Sequence, residues 1–265
     1  MYFNVYLLTV QVDYPIDISN STDVDFKQVF YVKYNFTITV MWSHFLVRTV
    51  TPPNNDLNGI WKMYLDEPDD SWFPDIAKFD YVVISDGNWF MKQSMYYEKG
   101  KLIGCSKCHI EGVEDLTMYY GNKKAFRTAL AALNNLKEFK GMVFLRTISP
   151  DHFQNGDWAT GGDCPKTMPY GRNQIDLYES GVLLYQGQLE EFIQAEKIGR
   201  FSKGLKYGLI DITQAMLLRP DGHPNKYGHQ RQPNQKFRND CVHWCLPGPI
   251  ELWNEFMYQL MIQLA

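Results

Sequence analysis

Asp240 and His243 stand three residues apart in the segment Asp240-Cys241-Val242-His243-Trp244-Cys245-Leu246-Pro247-Gly248, and both are residue types that move or steer protons. Hydrolases and acyl transferases use a His to carry a proton and a carboxylate to hold that His in the working tautomer. One short loop supplying both would let the Asp accept from one imidazole nitrogen while the other nitrogen faces a substrate. A salt-bridged surface pair or an otherwise satisfied loop His would give the same spacing. A disulfide at Cys241 or Cys245 would stiffen the loop, which favours preorganisation. The activated Ser that completes such a constellation is not evident upstream.

Other residues offer weaker chemistry. Ser85 ends an apolar run in Ser85-Asp86-Gly87-Asn88, as a presented nucleophile or a turn residue would. Gly87, with an unencumbered backbone, and Asn88, with a side-chain amide, are candidate donors to an oxyanion. Arg146, at another strand end, could bind a polar substrate or pair with an Asp. Asp221 and His223 form a second candidate pair, although a tight Pro-Asp-Gly turn explains those residues too. Asn155, Trp158 and the glycines around them suit a sugar-binding loop or a tethered cover. Cys105 and Cys108 with His109 make half of a zinc site, but no second ligand pair follows at a suitable spacing, so no metal is expected.

The elements that must position these residues can be read from periodicity. Residues 37–42 are rich in β-branched and aromatic types and suggest a strand. Residues 81–84, 142–145 and 207–212 are short continuous apolar runs, as in strands covered on both faces. Helical spacing appears in 123–139, in 188–202 and from Pro249 onward. Strands alternating with helices predict an α/β fold: a three-layer α/β/α, doubly wound, mostly parallel sheet. Ligands would then bind beyond the carboxyl ends of the strands, where residues 85–88 and 146–150 should share a rim. The Gly-rich loop 154–173 is long enough to suggest function, residues 1–12 read as a strand or helix end, and residues 1–265 read as a single domain.

Composition bounds the partners. With 26 Lys and Arg against 30 Asp and Glu, the net charge is −4 and no basic stripe is present, so no nucleic acid is expected. No run of 18 apolar residues occurs. Aromatic residues make up 15%, enough both to pack a core and to stack on sugars. Sequons at Asn20 and Asn35, together with the cysteines, favour an oxidising lumen.

Longer segments carry a resemblance. YNFTITVMWSHFLV (34–47), FDYVVISDGNWF (79–90), GMVFLRTISPDHFQNGDWATGGDC (141–164), LIDITQAMLLRPDGHPNKYG (209–228) and DCVHWCLPG (240–248) resemble, in the same order, the plant trichome-birefringence-like proteins. These are polysaccharide O-acetyltransferases with a PC-esterase domain. The resemblance implies an SGNH-esterase-like fold, Golgi residence and a polysaccharide substrate. It also implies an acetyl donor with no bound cofactor, Asp240 as orienting carboxylate and His243 as general base. FLRTISPDHF, AMLLRPDGHP and the C-x-x-C lean toward the branch acting on xyloglucan or glucomannan.

The family's nucleophile lies in a Gly-Asp-Ser motif that this sequence does not contain. Gly156-Asp157-Trp158 and Gly162-Asp163-Cys164 align with the family's Gly-rich loop instead. The expectation is an amino-terminally truncated member, lacking the nucleophile and the first strand of the sheet, with a membrane anchor only in the full-length protein. The resemblance further implies a Cys164–Cys241 bond, an unpaired Cys245, and Cys105 bonded to Cys108. Two alternatives stand beside the transferase: a non-catalytic polysaccharide-binding remnant and a carbohydrate acetyl esterase.

Overall fold

The computed structural model describes residues 14–20, 24–56, 58–174, 179–227 and 238–265. The strand or helix end expected at residues 1–12, and Ser21 and Thr22 of the first sequon, lie outside these residues. In chain order the elements are β1 (Ile16–Asp17), β2 (Phe26–Tyr31), β3 (Phe36–Met41), β4 (Val47–Val50), β5 (Trp61–Pro68), β6 (Tyr81–Ile84), β7 (Ser94–Glu98) and β8 (Lys101–Ser106). They continue with α1 (Thr117–Asn135), β9 (Met142–Arg146), α2 (Glu179–Lys203), β10 (Tyr207–Ile210), α3 (Thr213–Leu217) and α4 (Glu251–Leu264).

The central sheet has the order β10-β9-β6 and is parallel throughout. Its strand β9 is buried along its whole length, and successive side chains serve opposite faces. Val143 and Leu145 pack with Val82 and Ile84 against Phe126, Leu130 and Leu133 of α1 and Phe192 and Ala195 of α2. Met142 and Phe144 pack with Ile210 against Trp253 of α4, with Phe256, Met257 and Leu260 beside them. Helices therefore cover both faces, giving the expected three layers, and each fully buried Leu or Phe contributes about 1.5–3 kcal/mol relative to exposure.

Three details differ from the sequence expectation. The strand order advances in one direction, so the reversal that makes a sheet doubly wound does not occur among the described residues. Strand β6 was expected to be covered on both faces, yet Tyr81 is 40% and Val83 44% exposed. As an edge strand it pairs only with β9 among the described residues, and α4 packs on β9 and β10 rather than reaching it. Finally, the parallel sheet is only part of the β structure.

Strands β4-β5-β7-β8 form a mixed sheet and β1-β2-β3 an antiparallel one. In β5, Trp61, Met63 and Leu65 point into a core with Phe45, Phe90 and Ala125, whereas Lys62 and Asp66 are exposed. The alternation of Trp61, Met63 and Leu65 with Lys62 and Asp66 is the period-2 signal of a half-buried strand, which the sequence reading passed over. Helix α1 begins earlier than its periodicity suggests. Gly121 lies in its first turns, where a Cβ would come 2.4 Å from Tyr96 Oη, so the helix gives up propensity for close contact with β7. Among the described residues, no helix is long and apolar enough to cross a membrane.

Candidate active site

The carboxyl ends of the parallel strands are tied into one hydrogen-bonded rim. Gln188 of α2, fully buried, donates through Nε2 to the Asp86 carbonyl (3.1 Å) and accepts through Oε1 from the Ile148 N–H (2.8 Å). It thereby fastens the end of β6 to the segment after β9. Thr147 Oγ1, also buried, accepts from the Ile212 N–H at 3.0 Å and joins that segment to the end of β10. Tyr185 Oη donates to Asp211 Oδ2 at 2.8 Å on the same rim.

The Asp240–His243 loop rests on this rim. His152, six residues beyond the end of β9, donates its backbone N–H to the Cys241 carbonyl at 3.1 Å. Asn225 and Asp240 exchange backbone hydrogen bonds at 2.8 and 2.9 Å, and the Cys245 N–H reaches the Gly222 carbonyl at 2.9 Å. Cys164 and Cys241 are bonded, with Cα atoms 5.7 Å apart. The loop is thus held from three sides.

Within it, His243 Nδ1–H donates to Asp240 Oδ2 at 2.7 Å, while Asp240 Oδ1 accepts the His243 backbone N–H at 2.9 Å. The Asp240 side chain is 8% exposed and that of His243 39%. Hence one nitrogen of the ring is fixed by a buried acid and the ring remains partly open, the arrangement needed by a base that receives and returns a proton. Burial alone would raise the Asp240 carboxyl. Hydrogen bonds from the His243 side chain and backbone, together with the His243 charge, outweigh it and hold this carboxyl below its ordinary value.

The sign of the resulting pH dependence is fixed. A carboxyl depressed on folding adds stability that is complete above its unfolded pKa, about 4, and lost as pH falls through the folded value. Thermal melts of wild type and Asp240→Asn should therefore differ at about pH 6, and the difference should shrink as pH falls below about 4 toward the acid limit. An undiminished difference at that acid limit would contradict the assignment.

The remaining candidates are placed differently. Ser85 is no free nucleophile: its Oγ accepts from Arg146 Nε at 2.7 Å and from Arg146 Nη2. Arg146, 8% exposed, also donates from Nη1 to the Thr147 carbonyl at 3.3 Å and lies 4.4 Å from the Trp253 ring centroid. Its fork is used inside the protein, binding β6 to β9 and stacking on α4, rather than opening onto a substrate. Burial lowers its pKa to about 10 against the opposing charge of Asp86. Burial also raises the Asp86 carboxyl well above the usual range, opposed by the Gly87 N–H and the Arg146 charge.

Gly87 is buried on the rim, where a Cβ would meet Ile148 Cδ1 at 3.0 Å. Its N–H is directed to Asp86 Oδ1 at 2.6 Å, so an oxyanion would have to displace that carboxylate. Asn88 is half-buried at the start of the turn Asn88–Met91.

Asp221 and His223 do not form a pair. Asp221 takes two hydrogen bonds from Arg219, at 2.9 and 3.0 Å, and His223 turns toward His152 and His243. Asn155 Nδ2 donates to Asp163 Oδ1 at 3.0 Å and shapes the Gly-rich loop. Trp158 remains 42% exposed beside Phe153 and the Arg238 guanidinium. Cys105 and Cys108 are bonded to each other and Cys245 is free, its thiol pushed up by burial and by Asp240. Asn20 and Asn35 are both exposed. His152 was missed by sequence reasoning, and nothing in local spacing signals a contact made with a residue 71 positions away.

Comparison with known proteins places the chain in a family. Residues 5–260 match the family described as PC-Esterase, a GDSL/SGNH-like acyl-esterase family found in Pmr5 and Cas1p. The chain is 45% identical to Protein trichome birefringence-like 19 of Arabidopsis thaliana, across 96% of this chain and 60% of that protein. It is 40% identical to Xyloglucan O-acetyltransferase 4 of Populus trichocarpa, across 87% of this chain and 54% of that protein. With xyloglucan O-acetyltransferase 2 of Arabidopsis thaliana the identity is 35%, across 89% and 57%. The chain thus spans 54–60% of the length of these relatives. Its match from residue 5 to residue 260, and its kinship with the trichome birefringence-like proteins, show that this chain belongs to the PC-Esterase family.

Proposed function

We propose that the protein carrying this chain is a polysaccharide O-acetyltransferase of the plant cell wall, acting in the Golgi lumen on hemicellulose, with xyloglucan the favoured acceptor. The observation that carries the reading is the 2.7 Å contact of Asp240 with His243, in a ring left partly open on a disulfide-held loop. Xyloglucan enters because two of the relatives are xyloglucan O-acetyltransferases. Exposed asparagines at both sequons support a glycosylated, lumenal protein.

The proposed reaction is a double displacement. A Ser from outside these 265 residues attacks the acetyl carbonyl of a donor while His243 takes its hydroxyl proton. His243 then returns that proton to the leaving donor group, and Asp240 stabilises the imidazolium in between. In the second half a sugar hydroxyl attacks the acyl-enzyme, His243 accepts its proton, and the Ser leaves with that proton. Among the described residues β6 pairs only with β9, and its other edge suits a strand carrying such a Ser.

The test is to incubate the full-length protein with an acetyl donor and separate oligomers of xyloglucan, glucomannan and xylan, then weigh the products. Acetyl gain on xyloglucan is expected. Release of free acetate from acetylated polysaccharide without transfer would make the protein an esterase. Glycan binding without either reaction would make it a binding module.

A further inference from the structure

His152 and His223, both buried, face each other across 71 residues with His152 Nδ1 2.7 Å from His223 Nε2. Their outer nitrogens are each committed to a backbone carbonyl: His152 Nε2 to Leu217 O at 3.1 Å, and His223 Nδ1 to His243 O at 2.7 Å. A carbonyl oxygen only accepts, so both outer nitrogens must carry hydrogen. Were both rings neutral, the two inner nitrogens would then face each other with bare lone pairs at hydrogen-bonding distance. One additional proton between them removes that repulsion and makes the pair a single cation.

The surroundings are consistent with a cation. The Trp244 ring lies 4.0 Å from the His223 ring at 33°, a face contact that favours positive charge. Asp221, itself bound to Arg219, faces His152, and Asp240 faces His223; both carboxylates favour protonation. Opposing them, burial pushes His152 down and His223 to about 4, with the charges of His152 and then His243 adding to the lowering at His223. The Tyr170 ring stands 6.2 Å from His152. The 2.7 Å separation of the inner nitrogens is a hydrogen-bonding distance, with room for one proton between them.

We infer that His223 is a positioning residue for the proton-carrying loop, donating Nδ1–H to the His243 carbonyl and held in that tautomer by a proton shared with His152. The inference rests on the reading of Asp240 and His243 given above. Its consequence is that the backbone at His243 is fixed from behind.

The experiment compares His223→Leu, His223→Asn and His152→Gln in the full-length protein, with His243→Ala as reference. His223→Leu, which removes the donor, should lower kcat about 10- to 100-fold with KM within about twofold. His223→Asn, whose amide can donate in place of Nδ1–H, should recover most of that loss. His152→Gln keeps the donor to Leu217 but removes the shared proton, and should lower kcat about 3- to 10-fold with KM within about twofold. Ring-nitrogen NMR of the wild type should show one proton bridging the two imidazoles.

A folded His223→Leu with unchanged kcat, an unrescued His223→Asn, or an unimpaired His152→Gln would overturn the inference, as would spectra of two neutral rings. If His223→Leu does not fold, the Asn and Gln variants and the spectra decide alone. Activity surviving in His243→Ala would instead sink the reading of the site itself, leaving the spectra to judge the pair.

Discussion

His243→Ala in the full-length protein is expected to lower acetyl transfer by roughly 10⁴-fold or more, since residues of a triad act as a unit and the remaining rate comes from binding and oxyanion donors. Asp240→Asn should cost about 10⁴-fold through a different cause. The Asn carbonyl oxygen can still accept the His243 backbone N–H, now 2.9 Å from Asp240 Oδ1, so the loop keeps its shape. Its NH₂ group, however, replaces the oxygen that accepts from Nδ1 at 2.7 Å. Nδ1 must then become an acceptor, which places the ring's proton on Nε2 and removes the base. Steady-state transfer kinetics check both variants. An Asp240→Asn protein within tenfold of wild type would show that the acid does not set the tautomer, and a near-normal His243→Ala would remove His243 from the reaction.

Replacing Cys164 and Cys241 together by Ser is expected to destabilise the protein by about 4.5 kcal/mol in the chain-entropy account, because this bond closes a sequence separation of 77 residues. For a chain of this length that corresponds to a fall in Tm of roughly 8 °C. The loss should extend to activity, since the bond ties the Asp240–His243 loop to the Gly-rich loop, where Asn239 Nδ2 also donates to the Gly162 carbonyl at 3.0 Å. Cys105 and Cys108, only 3 residues apart, should cost about 2 kcal/mol or less when replaced, and should leave the pH profile of transfer unchanged. Calorimetry of the two double variants provides the comparison. Equal shifts in Tm would mean that closure of the long loop is not what stabilises the fold.

The residues themselves determined whatever is local. Asp240 and His243 are close enough in sequence for one loop to bring them into contact, and Cys105 and Cys108 are joined across a single turn. The continuous apolar run at β9 foretold a strand covered on both faces, and the spacing of Phe126, Leu130 and Leu133 foretold a helix against it. Longer segments carried the family. Only the tertiary structure decided that β6 lies at an edge among the described residues, with Tyr81 and Val83 exposed, because edge position depends on which strands arrive beside it. The same holds for the use of Arg146 on Ser85 and Trp253, for the departure of His223 from Asp221, and for the meeting of His223 with His152. Each of these contacts joins residues distant in the chain, and hydrogen-bond geometry of that kind leaves no periodic trace in sequence. Chain order sets which chemistry is available, whereas packing of the layers sets which groups face one another and which remain open to a substrate.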